Sequence, residues 1–143
     1  MNKAIFTFLL SLVIGYYSNA QTPANWTSDD LMEPAMLASL LAKGEDLPVI
    51  LSVGPGATIP QSKHIGATND AANLATLKKS LAAIPKTASV VIYCGCCPFE
   101  HCPNVRPAIA VLQEMQFADY KLLNLPKNLK TDWIDKGYPT VKQ

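Results

Sequence analysis

The most informative segment of the sequence runs from an apolar segment into a cysteine cluster: Val90-Val91-Ile92-Tyr93-Cys94-Gly95-Cys96-Cys97-Pro98-Phe99-Glu100-His101-Cys102-Pro103-Asn104-Val105-Arg106. It holds all four cysteines of the chain, one of its two histidines and its only arginine. A short apolar run rich in β-branched residues is typical of a strand buried on both faces of a parallel sheet. We therefore expect residues 89–93 to form such a strand, and the loop after it to carry the chemistry of the protein.

The rest of the chain alternates helical and strand patterns around this stretch. Apolar residues at helical spacing predict helices over residues 34–43, 73–84, 105–115 and 129–136. Short apolar runs predict two further strands over residues 48–53 and 120–125. This alternation predicts an α/β fold with a mostly parallel central sheet and helices on both faces. In such sheets ligands bind at the carboxyl ends of the strands, and Cys94 lies at one of those ends.

The N-terminal segment indicates an exported protein with one folded domain. A basic start at Lys3, an apolar segment and the small-x-small sequence Ser18-Asn19-Ala20 are typical of a signal peptide. We expect residues 1–20 to be that signal peptide and residues 21–143 to be one domain, located in the periplasm or secreted. The apolar segment is too short to span a membrane, so no membrane association is expected after cleavage.

The charge balance narrows the classes of partner. The chain has 12 basic and 11 acidic residues, so removal of Lys3 with the signal peptide leaves the two in balance. A domain without net charge and with scattered lysines is not expected to bind nucleic acid or an anionic membrane.

The spacing of the cysteines indicates a reactive cluster rather than a disulfide framework. An exported protein meets an oxidising compartment, where disulfides form. Bridges between residues 94 and 102 would close only very short loops and contribute little stability. The adjacent Cys96 and Cys97 would pair only under strain. One short bridge, such as Cys97 to Cys102, stays open as an alternative.

A cysteine between a strand end and a helix N-terminus is suited to sulfur transfer. The helix dipole and the N–H groups of the loop lower the pKa of such a thiol. The same N–H groups stabilise an anionic persulfide on its sulfur. Arg106, in the first turn of the predicted helix, adds a positive charge for an anion. A thiolate at Cys94 that attacks a sulfane donor and passes the sulfur on would be a covalent catalyst.

At these residues the chain resembles the rhodanese-like domain family. Residues 90–94 (Val-Val-Ile-Tyr-Cys) are similar to the strand that leads into that family's catalytic cysteine. Residues 59–66 (Ile-Pro-Gln-Ser-Lys-His-Ile-Gly) resemble its segment IPGAxHIP. Trp133 and residues 137–140 (Gly-Tyr-Pro-Thr) resemble its C-terminal W…GxPV. The likeness extends over residues 26–141.

The resemblance implies a three-layer rhodanese-like fold and a sulfurtransferase. It implies a thiosulfate-like donor, a persulfide on Cys94 and no metal or organic cofactor. From the residues themselves we expect Arg106 and Gly95 to hold the donor anion and a thiol or other acceptor to take the sulfur. The glycine pair that the family has before the final tryptophan is missing, with Lys127-Asn128 in that region, and the chain departs from the family's pattern in two further places. The loop after Cys94 is longer and contains three extra cysteines, and residues 52–54 (Ser-Val-Gly) stand where the family often has Asp-x-Arg.

The residues alone leave the role of the other cysteines open. The three other cysteines are Cys96, Cys97 and Cys102. One possibility is that they convert a persulfide or sulfenate on Cys94 into a disulfide, and the other is that two of them form a structural disulfide within the loop. The alternative function is a non-catalytic rhodanese-fold module whose loop binds a protein partner or a soft metal. Its metal ligands would be Cys96, Cys97, His101 and Cys102, although the spacing C-x-C-C-x4-C matches no standard zinc pattern. A phosphatase or arsenate reductase of the same fold is a further alternative, whose arginine would ordinarily lie within the loop.

Overall fold

The computed structural model describes residues 26–141. Its helices are α1 (Pro34–Lys43), α2 (Ala71–Ala82) and α3 (Val105–Glu114). Its strands are β1 (Leu31–Met32), β2 (Val49–Ser52), β3 (Lys63–His64), β4 (Ser89–Tyr93) and β5 (Asp119–Leu123). Two 3-10 turns lie at Ser28–Asp30 and Phe99–His101, and a π-helical turn lies at Lys130–Ile134. The expected signal peptide lies outside the described residues.

The five strands form one parallel sheet in the order β1-β5-β4-β2-β3. Strand β4 lies at its centre, and its last residue, Tyr93, pairs with Ser52 at the end of β2. The predicted α/β fold with a parallel central sheet is therefore confirmed. The edge strands β1 and β3 were not predicted, because a strand of two residues is too short to produce a periodic pattern.

Side chains of β4 alternate between two hydrophobic cores, one on each face of the sheet. Ile92 and Cys94 belong to the core that α2 and α3 cover. Val91 and Tyr93 belong to the other core, which α1 and the segment around Trp133 cover. Helices on both faces confirm the expected three layers, and the alternation puts Cys94 on the same side of the sheet as α3.

The predicted helices are found with small differences in their bounds. Helix α1 covers residues 34–43 as predicted, with a proline in its first turn and Gly44 in the left-handed conformation after it. Helix α3 agrees within one residue, and α2 begins and ends two residues earlier than predicted. The short helix predicted over residues 129–136 is present as the shorter π-helical segment Lys130–Ile134, and the left-handed Gly137, with φ of 75°, follows it.

Within residues 26–141, no helix has the length and apolar character that crossing a membrane requires.

Candidate active site

The candidate active site is built around Cys94, the first residue after β4. Cys94 is only 2% exposed. The N–H of Val53 donates to the carbonyl oxygen of Tyr93 at 2.9 Å, so the chain after β2 runs directly beside Cys94. A Cβ atom on Gly54 would lie 2.6 Å from Cys94 Sγ, well inside van der Waals contact. Glycine at position 54 is therefore what allows the sulfur to lie where it does.

The loop after Cys94 brings the other three cysteines to the same point. All four Sγ atoms lie within 4.8 Å of one another, and all four residues are free thiols. Cys96 Sγ lies 3.4 Å from Cys94 Sγ and 3.3 Å from Cys97 Sγ. Cys102 returns to the cluster because the 3-10 turn at Phe99–His101, anchored by the buried Phe99, reverses the loop. The four cysteines thus form one site, in which Cys94 and Cys102 are buried, Cys97 is half-buried and Cys96 is exposed.

Hydrogen bonds make Cys94 an acidic thiol. The largest cause of the lowered pKa of Cys94 is the hydrogen bond with the Cys102 thiol. Burial acts in the opposite direction and raises the pKa of Cys94. The Cys96 N–H, the Asn104 amide and the Cys96 thiol also lower it, and the pKa of Cys94 is about 5. The hydrogen bond with Cys94 raises the pKa of Cys102. Burial of its sulfur, followed by hydrogen bonds with Cys97 and Cys94, raises the pKa of Cys96 to about 12. At neutral pH Cys94 is therefore a thiolate, and Cys96 and Cys102 are thiols that donate to it.

Asn104 holds the thiolate from the side of α3. Its side chain is buried and Nδ2 donates to Cys94 Sγ at 3.5 Å. Its Oδ1 accepts the N–H of Asn69 at 3.1 Å, and the hydroxyl of Thr68 donates to its carbonyl oxygen. The loop before α2 thus fixes the orientation of the amide, so that its donor faces the sulfur.

Gly95 allows the loop after β4 to pack closely against the segment that contains Leu129. Its carbonyl oxygen accepts the N–H of Leu129 at 3.1 Å, and a Cβ atom at this position would lie 3.0 Å from Leu129 Cβ. Glycine at position 95 therefore permits a close backbone approach. Its role in holding an anion stays a prediction.

Arg106 lies in the first turn of α3, and its guanidinium stacks on Trp26. The distance from its Cζ to the centre of that ring is 5.4 Å. Its Nη1 is buried, as is Trp26 Nε1, and neither atom has a hydrogen-bond partner within residues 26–141. A buried donor without a partner is a place where an anion gains a hydrogen bond. The anion-binding role of Arg106 stays a prediction that this observation favours.

His101 lies apart from the sulfur cluster. It is exposed on the 3-10 turn that returns Cys102 to the site. Across the described part of the chain, the potential metal ligands that come together are the four cysteines, without His101. The assembled set therefore differs from the one expected from the sequence by containing Cys94 in place of the histidine.

Gly54 and Asn104 belong to the site but lie outside the sequence prediction. Each had a signal available. Gly54 comes at the carboxyl end of a strand that neighbours β4 in a parallel sheet, where ligands bind. Asn104 stands at the N-cap of α3, yet its side chain makes no capping hydrogen bond. Neither residue is a cysteine, a histidine or an arginine, the residue types from which the site was predicted.

A five-stranded parallel sheet in the order β1-β5-β4-β2-β3, with helices on both faces, is the architecture of a rhodanese-like fold. The structure resembles the solution structure of the rhodanese-like domain from the Anabaena sp. Alr3790 protein, with a TM-score of 0.56, 18% identity and coverage of 80% of each chain. A crystal structure of the Alr3790 protein is similar, with a TM-score of 0.55, 17% identity and coverage of 77% of this chain and 90% of that one. The BH2092 protein from Bacillus halodurans has a TM-score of 0.60 at 16% identity, with coverage of 79% of this chain and 77% of that one. No family model and no curated protein matches the sequence. The predicted rhodanese-like domain is thus confirmed as a fold.

Proposed function

We propose that this protein is an exported sulfurtransferase that carries a sulfane sulfur as a persulfide on Cys94. The observation that carries the proposal is the environment of its sulfur, which is buried at the end of the central strand and accepts a hydrogen bond from Asn104 Nδ2 at 3.5 Å. Donors that stabilise a thiolate also stabilise the persulfide anion that replaces it. The rhodanese-like fold supports a sulfurtransferase or a related module.

In the proposed reaction, Cys94 Sγ attacks the sulfane sulfur of a donor anion such as thiosulfate. A bond forms between Sγ and the sulfane sulfur, the bond between the two sulfur atoms of thiosulfate breaks, and sulfite leaves with the electron pair. A thiol or other acceptor then takes the sulfane sulfur and returns Cys94 to the thiolate. The proposed contacts of the donor anion are Arg106, whose Nη1 is unpartnered in the described residues, and the N–H of Gly95. The reaction needs no metal or organic cofactor.

Location in the periplasm or outside the cell is part of the proposal. It rests on the signal-peptide pattern in residues 1–20. In that setting the partners would be a small sulfur-containing anion and a thiol acceptor, without nucleic acid or membrane. Cleavage after Ala20 in the exported protein, read by N-terminal sequencing, is the expected result, and an uncleaved protein in the cytoplasm would contradict it.

The test of the reaction is sulfite release and intact mass after the reduced, metal-free protein from Gln21 onward meets thiosulfate. We expect one equivalent of sulfite per chain and, before any acceptor is added, the gain of one sulfur atom. Cys94→Ser removes the nucleophile and should show neither, whereas the matched variant Cys97→Ser should keep sulfite release. Absence of sulfite release from the wild-type protein would contradict the proposed reaction.

A second function, binding of a soft metal, is favoured by the distances within the cluster. Four cysteine sulfurs suit Zn²⁺ or Cu⁺. A tetrahedral site with zinc–sulfur bonds of about 2.3 Å has sulfur–sulfur edges of about 3.8 Å. All four Sγ atoms already lie within 4.8 Å of one another, with two separations of 3.4 and 3.3 Å. Little movement would therefore be needed to close such a site.

Titration with Co²⁺ under anaerobic conditions separates this function from the first. Binding predicts sulfur-to-cobalt charge-transfer absorption that saturates at one ion per chain, is displaced by Zn²⁺ and weakens in each single Cys→Ser variant. Metal content measured on protein purified without oxygen should then be stoichiometric. Charge-transfer absorption that never saturates, together with protein purified free of metal, would rule this candidate out.

A further inference from the structure

The sulfur cluster connects a buried cysteine to the surface. Cys94 is 2% exposed, whereas Cys96 is the one exposed member of the four. Their Sγ atoms lie 3.4 Å apart, which is ordinary contact between two sulfur atoms. Cys97 is half-buried, and its Sγ lies 3.3 Å from that of Cys96. Cys96 is therefore the most exposed cysteine of the site.

The residues around Cys94 restrict the approach of an acceptor to its sulfur. The backbone of Gly54 lies against Sγ so closely that even a Cβ atom there would overlap it. Asn104 Nδ2 lies 3.5 Å from the sulfur on another side, and the Sγ of the buried Cys102 lies within 4.8 Å of it. A small anion can reach a sulfur in such a place, because it brings no backbone with it. A cysteine of a protein acceptor cannot come into line with it without displacing these groups.

Resting on the proposed function, we propose that Cys96 takes the sulfane sulfur from Cys94 and presents it to a thiol acceptor at the surface. The outer sulfur of the Cys94 persulfide anion first takes the thiol proton of Cys96. The resulting thiolate of Cys96 then attacks that outer sulfur. A bond forms between it and Cys96 Sγ, its bond to Cys94 Sγ breaks, and the electron pair stays on Cys94 as a thiolate. Atoms and charge balance, and no oxidant or reductant is required.

Position singles out Cys96 for this step among the three additional cysteines. Cys102 is buried, so a sulfur placed on it would be no more accessible than before. Cys97 is half-buried, and its Sγ lies 3.3 Å from Cys96 Sγ. Cys96 alone combines contact with Cys94 and exposure to solvent. The departing thiolate of Cys94 is the group that Asn104 and Cys102 already stabilise.

The experiment compares two acceptors of different size in two matched variants, Cys96→Ser and Cys97→Ser. After loading with thiosulfate, transfer is measured to cyanide, read as thiocyanate, and to reduced thioredoxin, read as sulfide. Because Cys96 also contacts the Cys94 sulfur, each transfer rate in Cys96→Ser is divided by the rate at which the same variant releases sulfite from thiosulfate. This ratio should stay within about twofold of wild type for cyanide and should fall at least about tenfold for thioredoxin, since a step of the route is lost. In Cys97→Ser both ratios should stay as in wild type.

Three results would overturn the inference. Equal losses with cyanide and thioredoxin in Cys96→Ser would mean a structural effect, and unchanged transfer to thioredoxin would mean that Cys94 delivers its sulfur directly. Release of sulfide without acceptor, with loss of two hydrogen masses and a Cys94–Cys96 disulfide, would mean that Cys96 resolves the persulfide instead of carrying it. Failure of the proposed function looks different, because neither wild type nor Cys96→Ser would then release sulfite from thiosulfate, and the relay would fall with it.

Discussion

At the scale of single residues, the chemistry of Cys94 depends on the donors around its sulfur. These donors lower its pKa to about 5, so the thiolate is present above that pH and is lost as the pH falls through it. We therefore expect alkylation of Cys94 by iodoacetamide to reach its full rate by pH about 6 and to decline below pH about 5. Peptide mapping of alkylated, metal-free protein measures this rate residue by residue. A rate that still rises between pH 7 and 9 would contradict the assignment of the thiolate.

Removal of the Asn104 amide should raise the pKa of Cys94. Asn104→Ala loses the Nδ2 donor, and since a hydrogen bond to a charged group contributes about 1.5–3 kcal/mol, we expect a rise of about one unit or more. Asn104→Asp keeps the acceptor for Asn69 but puts a carboxylate beside the sulfur, so its rise should be larger. The pH profile of alkylation measures both. Asn73→Ala is the control, because its amide donates to Ala67 in the same loop and not to the sulfur.

Gly54 tests whether close backbone approach positions the sulfur. Its φ is not in the left-handed region, so Gly54→Ala is strained only by the contact of its Cβ with Cys94 Sγ at 2.6 Å. We expect slower alkylation of Cys94 and a loss of about 1–3 kcal/mol in the free energy of unfolding, as in other overpacked cores. Urea unfolding measures the loss. The double variant with Cys94→Ser should recover part of it, because oxygen is smaller than sulfur, and strict additivity would count against the clash.

At the scale of elements, the loop before α2 supports the junction between the cysteine loop and α3. The Thr68 hydroxyl donates to the carbonyl oxygen of Asn104, and both residues are buried. Thr68→Val keeps the shape and removes one donor to that oxygen, which as the N-cap carbonyl of α3 also accepts the first hydrogen bond of the helix, so we expect a cost of about 0.5–1.5 kcal/mol and a raised pKa of Cys94. Urea unfolding and the alkylation profile measure the two effects.

The N-cap of α2 provides the control for this prediction. Asp70 accepts the N–H groups of Ala72 and Asn73 at 2.8 and 3.2 Å, two residues along the same loop from Thr68. Asp70→Ala should cost about 1 kcal/mol and leave the alkylation profile of Cys94 unchanged. An equal shift of the profile in both variants would mean that general loosening of the loop, and not the bond to Asn104, controls the thiol.

At the scale of the whole molecule, the core on one face of the sheet contains Cys94, and we expect the core on the opposite face to contribute to stability alone. Trp133 is fully buried in the core opposite Cys94, and its Nε1 donates to Pro139 at 2.7 Å. Trp133→Ala should lower the free energy of unfolding by about 3–5 kcal/mol. The alkylation profile of Cys94, measured where the variant is still folded, should stay as in wild type. A shifted profile would mean that the far core also sets the geometry of the site.

The layered α/β architecture and the place of Cys94 at its centre can be predicted from the amino-acid sequence. Buried strands and amphipathic helices leave local periodic signals, so β4, α1 and α3 could be located from a few residues each. The place of Cys94 after a parallel strand follows from the same signals. Elements without such a signal, the two-residue strands β1 and β3, could not be located in this way.

The groups that surround the Cys94 sulfur are known from the three-dimensional structure alone. Gly54 lies 40 residues before Cys94 in the chain and touches it because β2 and β4 pair in one register. The amide of Asn104 faces the thiolate because a loop before α2 holds it, and His101 is left outside the cluster because a single turn returns Cys102 instead. Spacing along a chain limits which residues can meet, but distances between side chains depend on register, turn geometry and packing, and these are properties of the whole fold.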